Sequence, residues 1–144
     1  MEKKDNKVVY NTKEMKILIV EDDGPSVILL TEITKKIFGE ILYAKTGADA
    51  VAICQLHPDI DLILMDIQLQ ELDGYEATQQ IRQFNKDVLI IAETAYGQPR
   101  DRELALQAGC NAYIAKPFNQ TMLLKIINSV LNIQLILLII IGLI

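Results

Sequence analysis

Side chains that can do chemistry follow several short, largely apolar runs of the sequence. The runs ILIV, LILM, IIAE and YIA are each followed at once by a carboxylate, a hydroxyl or an ammonium group. The residues at these four places are Glu21, Asp22 and Asp23, then Asp66, then Thr94, then Lys116. This repeated placement indicates that these residues form a functional site at one edge of the folded domain.

The acidic residues of this set predict a cation site. Carboxylates about 4–5 Å apart repel one another by roughly 3–4 kcal/mol at an effective dielectric of about 20, so they either share protons or hold a cation. The set offers only oxygen ligands, and such a set suits Mg²⁺. The single histidine, His57, belongs to the sequence HPD, and we interpret it as a turn residue.

A cation beside a free carboxylate, a lysine and a threonine is suited to receiving a phosphoryl group. Asp66 would be the nucleophile. Mg²⁺ and Lys116 would neutralise charge on the phosphoryl oxygens, and Thr94 would donate a hydrogen bond to one of them.

Each of these residues also has an ordinary structural explanation. Acidic residues that follow a strand often cap the next helix, and Asp66 could cap the loop before the third helix. Lys116 could be a solvated surface lysine, and Thr94 could be present for its β-propensity. The coincidence of all of them at strand ends favours the functional interpretation.

The elements that position these residues alternate between strand and helix. The pattern predicts strands at 16–20, 41–44, 61–65, 88–92 and 112–115. It predicts helices at 25–38, 47–56, 75–84, 98–109 and from Asn119 onward. Apolar strands joined by helices imply a parallel sheet covered on both faces. The carboxyl ends of such strands share one edge, where ligands of open α/β sheets bind.

Composition narrows the class of protein. The chain has 144 residues and a net charge of -5, which fits one domain and argues against electrostatic binding of nucleic acid. The two cysteines, Cys54 and Cys110, lie in apolar surroundings. We interpret them as reduced core thiols of a cytoplasmic protein.

The two ends of the chain fall outside the alternating pattern. Residues 1–15 are polar, lack the apolar core of a signal peptide and are expected to form a leader or linker. Residues 133–144 include the run LILLIIIGLI, which is shorter than the 20 or so residues that span a membrane. Three interpretations of this tail remain open: a helix extension that docks on a partner or a second copy, an artefact of cloning or truncation, and a shortened membrane-facing segment.

Four segments of the sequence together resemble the receiver domain of two-component response regulators. They are ILIVEDD, LILMD with LDGYEAT, IIAETAY, and AGCNAYIAKPF. The resemblance runs from about Lys16 to about Leu131, and the fourth and fifth strand regions look most like receiver domains of hybrid sensor histidine kinases. It implies a receiver domain at 16–132, with a flavodoxin-like, doubly wound sheet of strand order 2-1-3-4-5.

The resemblance also implies roles for individual residues. Asp66 would be the phospho-acceptor. Glu21 and Asp22 would hold Mg²⁺ together with Asp66, and the backbone carbonyl of Gln68 would supply another ligand.

Further roles concern the response to phosphorylation. Thr94 and Lys116 would contact the phosphoryl group. Tyr113 would be the switch residue that swings inward when Thr94 moves, and the Lys116–Pro117 peptide bond would be cis. The fourth helix, fifth strand and fifth helix would form the surface that changes.

A receiver domain takes its phosphoryl group from a phosphohistidine on a histidine kinase or a histidine phosphotransfer protein. It also hydrolyses its own acyl phosphate slowly, so it is not a conventional enzyme. We expect no nucleic-acid partner, because the net charge is -5, and the fourth and fifth helices would be the surface of a homodimer. Whether the chain is a stand-alone regulator or a fragment of a hybrid kinase stays open.

Two positions depart from the family pattern. Gln70 stands where a proline is usual, and Glu93 stands where an apolar or neutral residue is usual. We expect Glu93 to point outward.

Three competing functions are weaker. A phosphatase of the haloacid-dehalogenase type would carry an aspartate at the position of Gln68. A receiver-like interaction module that is not phosphorylated usually lacks the acceptor aspartate or the lysine. A DNA-binding transcription factor would need a further helix-turn-helix unit.

Overall fold

The computed structural model describes residues 12–95 and 97–131. The strands are β1 (Lys16–Val20), β2 (Glu40–Ala44), β3 (Leu62–Asp66), β4 (Leu89–Thr94) and β5 (Ala112–Ala115). The helices are α1 (Gly24–Thr34), α2 (Gly47–Leu56), α3 (Gly74–Phe84), α4 (Pro99–Ala108) and α5 (Gln120–Leu131), and a short 3-10 turn at Thr12–Glu14 precedes β1.

The strands form one sheet in the order β2-β1-β3-β4-β5. Every pairing in it is parallel. The predicted fold and strand order are therefore confirmed, and β1 and β3 lie next to each other in the middle of the sheet.

Helices cover both faces of the sheet, and the strand residues alternate between them. Leu18 and Val20 of β1 belong to an apolar cluster with residues of α2, α3 and α4. Ile17 and Ile19 belong to a second cluster, which includes residues of α1 and α5. All residues of β3 are buried, so the carboxylate of Asp66 ends a strand that has no solvent-facing side.

The first helix is shorter than predicted. It ends at Thr34 rather than at residue 38, and the amides of Ile37 and Phe38 both donate to the carbonyl of Thr34, at 3.0 and 2.9 Å. Ile37 and Phe38 are buried in this turn, so the apolar pattern continues after the helix has stopped. A Cβ atom on Gly39 would overlap the carbonyl oxygen of Lys13, so glycine is needed there for a close backbone approach.

Several smaller predictions concern residues away from the strand ends. His57 closes α2, where its amide donates to the carbonyl of Ile53 at 2.8 Å, which confirms it as a turn residue. Cys54 and Cys110 are both buried, and burial raises the pKa of each thiol to about 11.

The predictions for the two ends of the chain fall largely on residues that the structure does not describe. The tail at 133–144 lies outside the described residues, as does most of the leader at 1–15. Among the helices of the described part of the chain, none has the length and apolar character needed to cross a membrane.

Candidate functional site

Three carboxylates meet at the carboxyl edge of the sheet. Glu21 and Asp22 directly follow β1, and Asp66 ends the neighbouring strand β3. Each residue offers one carboxylate oxygen, and these oxygens all lie within 4.8 Å of one another. Glu21 and Asp66 are 2% and 3% exposed, whereas Asp22 is exposed.

Lys116 reaches two of these carboxylates from the loop after β5. Its Nζ atom donates to Oε2 of Glu21 at 3.1 Å and lies 3.6 Å from Oδ1 of Asp66. Burial lowers the pKa of Lys116, but the charges of Asp66 and Glu21 outweigh this effect and raise the pKa above its ordinary value. The ammonium group therefore stays charged at neutral pH.

One lysine does not neutralise the cluster. Burial and the charge of Asp66 raise the pKa of Glu21 to about 7, even though Lys116 acts in the opposite direction. A divalent cation would relieve this repulsion. The donors are carboxylate oxygens without histidine or cysteine, a set that fits Mg²⁺.

The loop after β3 holds the carboxylate of Asp66 in place. The amide of Gln68 donates to Oδ1 of Asp66 at 3.1 Å. A Cβ atom on Gly74 would overlap the carbonyl oxygen of Asp66, so only glycine lets the start of α3 pack this closely. Asp73 caps α3 by accepting from the amide of Glu76 at 2.9 Å, so Asp66 is not the helix cap.

The three acidic residues after β1 have two different roles. Asp23 caps α1, accepting at Oδ2 from the amide of Ser26 at 3.0 Å and from its hydroxyl at 2.5 Å. These hydrogen bonds with Ser26 lower the pKa of Asp23. The capping explanation therefore applies to Asp23, and Glu21 and Asp22 remain in the carboxylate cluster.

Thr94 and Lys116 are joined through their backbones at the same edge. Thr94 ends β4 and is 3% exposed, and its carbonyl accepts from the amide of Lys116 at 2.7 Å. The Lys116–Pro117 peptide bond is cis, as the sequence resemblance implies.

Tyr113 belongs to β5, the strand at one edge of the sheet. It is half-buried in β5 and lines a cavity of about 480 Å³ together with residues along α4, among them Pro99, Arg102 and Leu106. The structure therefore places Tyr113 beside α4, on the side of the sheet that α4 covers.

Glu93 is the residue that the sequence prediction placed wrongly. It does not point outward: it is 0% exposed, and among the described residues neither of its carboxylate oxygens has a hydrogen-bond partner. Burial raises its pKa to about 8, against the attraction of Lys116. The alternation of β4 carried a usable signal, since Ile91 faces α1 and α5 and Glu93 follows it by two residues.

Comparison with known proteins identifies the family of this chain. The model of the family described as response regulator receiver domain matches residues 17–128. The chemotaxis protein CheY of Halobacterium salinarum is 35% identical over 116 residues, a match that covers 81% of this chain and 96% of that protein.

Two solved receiver domains are similar in both sequence and fold. The first is the receiver domain of sensor histidine kinase PA1611 of Pseudomonas aeruginosa, which holds a magnesium ion in its active site cleft. It is 36% identical to this chain with a TM-score of 0.72, and the match covers 82% of this chain and 98% of the PA1611 domain. The second is the receiver domain of the response regulator Ssk1 of Saccharomyces cerevisiae, which was solved with the histidine phosphotransfer protein Ypd1. It is 36% identical to this chain with a TM-score of 0.75, and the match covers 81% of this chain and 88% of the matched chain. The chain belongs to the response regulator receiver domain family.

Proposed function

We propose that this chain accepts a phosphoryl group from a phosphohistidine onto Asp66 in a two-component phosphorelay, with Mg²⁺ bound beside it. One observation supports the proposal most strongly. Carboxylate oxygens of Glu21, Asp22 and Asp66 lie within 4.8 Å of one another, and the ammonium group of Lys116 lies 3.6 Å from Asp66. A buried nucleophile, a cation site and a fixed positive charge are what phosphoryl transfer needs.

In the proposed transfer, a carboxylate oxygen of Asp66 forms a bond to phosphorus while the phosphorus–nitrogen bond of the phosphohistidine breaks. The imidazole leaves, and Asp66 becomes an acyl phosphate. Lys116 pairs with a phosphoryl oxygen, for which its ammonium group needs only a short movement from Asp66. Thr94 donates a hydrogen bond to another phosphoryl oxygen.

The metal ligands in this proposal are Glu21, Asp22, Asp66 and the backbone carbonyl of Gln68. Mg²⁺ held by these oxygens would neutralise charge that develops on the phosphoryl oxygens. The exposed Asp22 leaves one side of the cluster open, so a donor protein can approach Asp66 from solvent.

Phosphorylation would act as a switch rather than as a store of phosphate. New charge at Asp66 draws Thr94 toward the phosphoryl group, and Tyr113 then moves inward beside α4. The changed surface consists of α4, β5 and α5, a two-state element that local charge biases.

We further propose that the donor is a histidine kinase or a histidine phosphotransfer protein and that the chain works in the cytoplasm. The similarity to the Ssk1 receiver domain, which was crystallised with such a transfer protein, supports the donor class. A homodimer through α4 and α5 is a further proposal, and sedimentation before and after phosphorylation tests it.

The proposal is tested by incubating the protein with acetyl phosphate and Mg²⁺ and measuring its intact mass. We expect a gain of one phosphoryl group, which Asp66→Asn abolishes. The matched control is Asp87→Asn, an exposed aspartate in the turn between α3 and β4, which should be phosphorylated like the parent. No gain in mass would favour an interaction module, and sustained hydrolysis of p-nitrophenyl phosphate would favour a phosphatase.

A further inference from the structure

A groove of about 700 Å³ lies at the amino edge of the sheet, opposite the edge that carries the carboxylate cluster. In its wall, Met15 precedes β1, Asp61 precedes β3 and Leu89 begins β4. Phe84 and Val130 also line it. At about 30 Å³ for each water molecule, the space holds about 20 water molecules, which is room for a few aliphatic side chains.

Apolar side chains are exposed to solvent at this edge. Phe84 ends α3 and is 43% exposed, and Leu56 ends α2 and is 77% exposed. Both helices return the chain to the amino edge of the parallel sheet, so these two side chains lie at the same end of the domain. An occupant that covers them would be stabilised by the hydrophobic effect.

Several polar groups in the wall of the groove already have partners. Asp59 and Asp61 both accept from Lys16, from its ammonium group at 2.6 Å and from its amide at 2.8 Å. The side-chain oxygen of Asn85 accepts from the amide of Asp87 at 3.1 Å. An apolar occupant would leave these acceptors paired, so it would avoid much of the usual cost of covering polar groups.

The apolar tail begins at the wall of this groove. Val130 and Leu131, at the end of α5, both line it. The residues that follow, 132–144, read NIQLILLIIIGLI and carry no charged side chain. Asn132 is of a residue type that can end a helix in a left-handed turn, and five extended residues reach about 16–18 Å. The sequence therefore lets the tail turn back and cross the groove.

We propose that the tail folds back onto its own domain and places side chains of residues 133–144 in this groove. The aliphatic side chains pack against Phe84, Leu89 and Val130. A tail attached at the groove wall has a local concentration there in the millimolar range, so it occupies its own groove before that of a second copy. The proposal does not depend on phosphorylation of Asp66.

Cross-linking of the full-length chain tests this contact. Leu137→Cys in the tail is combined with Lys86→Cys in the groove wall and treated with a short bismaleimide at neutral pH. Cys54 and Cys110 are buried, and their pKa values are raised to about 11, so they react little. We expect a link within one chain, found by peptide mass analysis of protein that runs as a monomer on a denaturing gel.

The matched pair is Leu137→Cys with Glu103→Cys, at an exposed position of α4 outside the groove. This pair should link at least about tenfold more slowly. Equal rates for the two pairs would show that the tail does not dock. Links between two chains would show that it docks on a second copy, and no link at all would show that it stays away from the groove. Each of these results would overturn the proposal.

Charges placed in the contact test whether it is apolar. Phe84→Asp in the groove and Ile139→Asp in the tail should each slow the link between positions 86 and 137 by about threefold or more, because burying a carboxylate opposes docking. Ile28→Asp, at an exposed apolar position of α1, introduces the same charge elsewhere and should link like the parent pair. If Ile139→Asp links as fast as the parent pair, the proposal is wrong, whatever Phe84→Asp does to folding.

Discussion

At the scale of single residues, the site depends on how one ammonium group is shared. Lys116 contacts Glu21 and lies close to Asp66, so its charge compensates part of the repulsion between two buried carboxylates. In the proposed mechanism this same group moves to the phosphoryl oxygens. The residue is thus paired before phosphorylation and remains paired after it.

We expect Lys116→Met to slow phosphorylation by acetyl phosphate by about 100-fold, because removing one preorganised group that stabilises the transition state has an effect of this order. The rate is measured from the time course of the phosphorylated mass. The control is Lys125→Met at an exposed position of α5, which should react like the parent. An unchanged rate for Lys116→Met would remove Lys116 from the mechanism.

Glu93 makes stability depend on pH. Its pKa is raised from 4.5 to about 8 in the folded chain, so the folded state holds a proton that the unfolded state loses as pH rises above 4.5. Stability therefore falls between these two pH values, and the full loss is reached above the folded pKa.

We expect Glu93→Gln to match the parent near pH 4.5 and to exceed its free energy of unfolding by about 1–3 kcal/mol near pH 9, since the glutamine has no charge to bury. Urea denaturation at both pH values measures the difference. A stability gain of the same size at both values would mean that ionisation of Glu93 is not its cause.

At the scale of elements, the sequence predicted most strand and helix ends to within one residue, and the exceptions are the ends of α1 and β4. Each apolar run stops where a polar residue begins, and this change is visible in the sequence at Asp66 and Lys116. The end of α1 was not visible, because Ile37 and Phe38 continue its apolar pattern as buried turn residues. Glu71 adopts a left-handed backbone with φ of 67°. This conformation could not be predicted from the sequence, because it is typical of glycine and asparagine rather than of glutamate.

The packing of α3 against Asp66 depends on Gly74. We expect Gly74→Ala to lower the free energy of unfolding by about 1–3 kcal/mol, because the added methyl group would overlap the carbonyl oxygen of Asp66 and force the backbone to shift. Gly24→Ala at the start of α1 is the matched control, since a Cβ atom there meets nothing within 4 Å. Denaturant unfolding compares the two, and equal effects would show that the close approach does not matter.

At the scale of the whole molecule, the order of strands decides which residues meet. Parallel pairing brings the ends of β1, β3, β4 and β5 to one edge, so residues as distant in sequence as Glu21 and Lys116 come within 3.1 Å. This arrangement could be predicted from the sequence, because alternating strands and helices imply parallel strands whose carboxyl ends share one edge. Sequence reasoning missed the environment of Glu93, which depends on the packing of α1 and α5 over that edge.

Binding of Mg²⁺ should stabilise the whole fold, because a ligand that binds only the folded state raises its stability by about 2.7 kcal/mol at 100 times its Kd. We expect Mg²⁺ to raise Tm and a chelator to reverse the change. Asp22→Asn should weaken this effect, whereas Asp87→Asn should not. If Tm does not respond to Mg²⁺ in the parent, the carboxylates do not form a metal site.

The central claim is that Asp66 accepts the phosphoryl group, and locating the modified residue tests it most directly. The protein is treated with acetyl phosphate and Mg²⁺, reduced with borohydride to convert the acyl phosphate to a stable alcohol, and digested for peptide mass analysis. We expect the reduced residue at position 66 alone. Its appearance at another carboxylate, or its absence from position 66 in protein that has gained phosphoryl mass, would contradict the account.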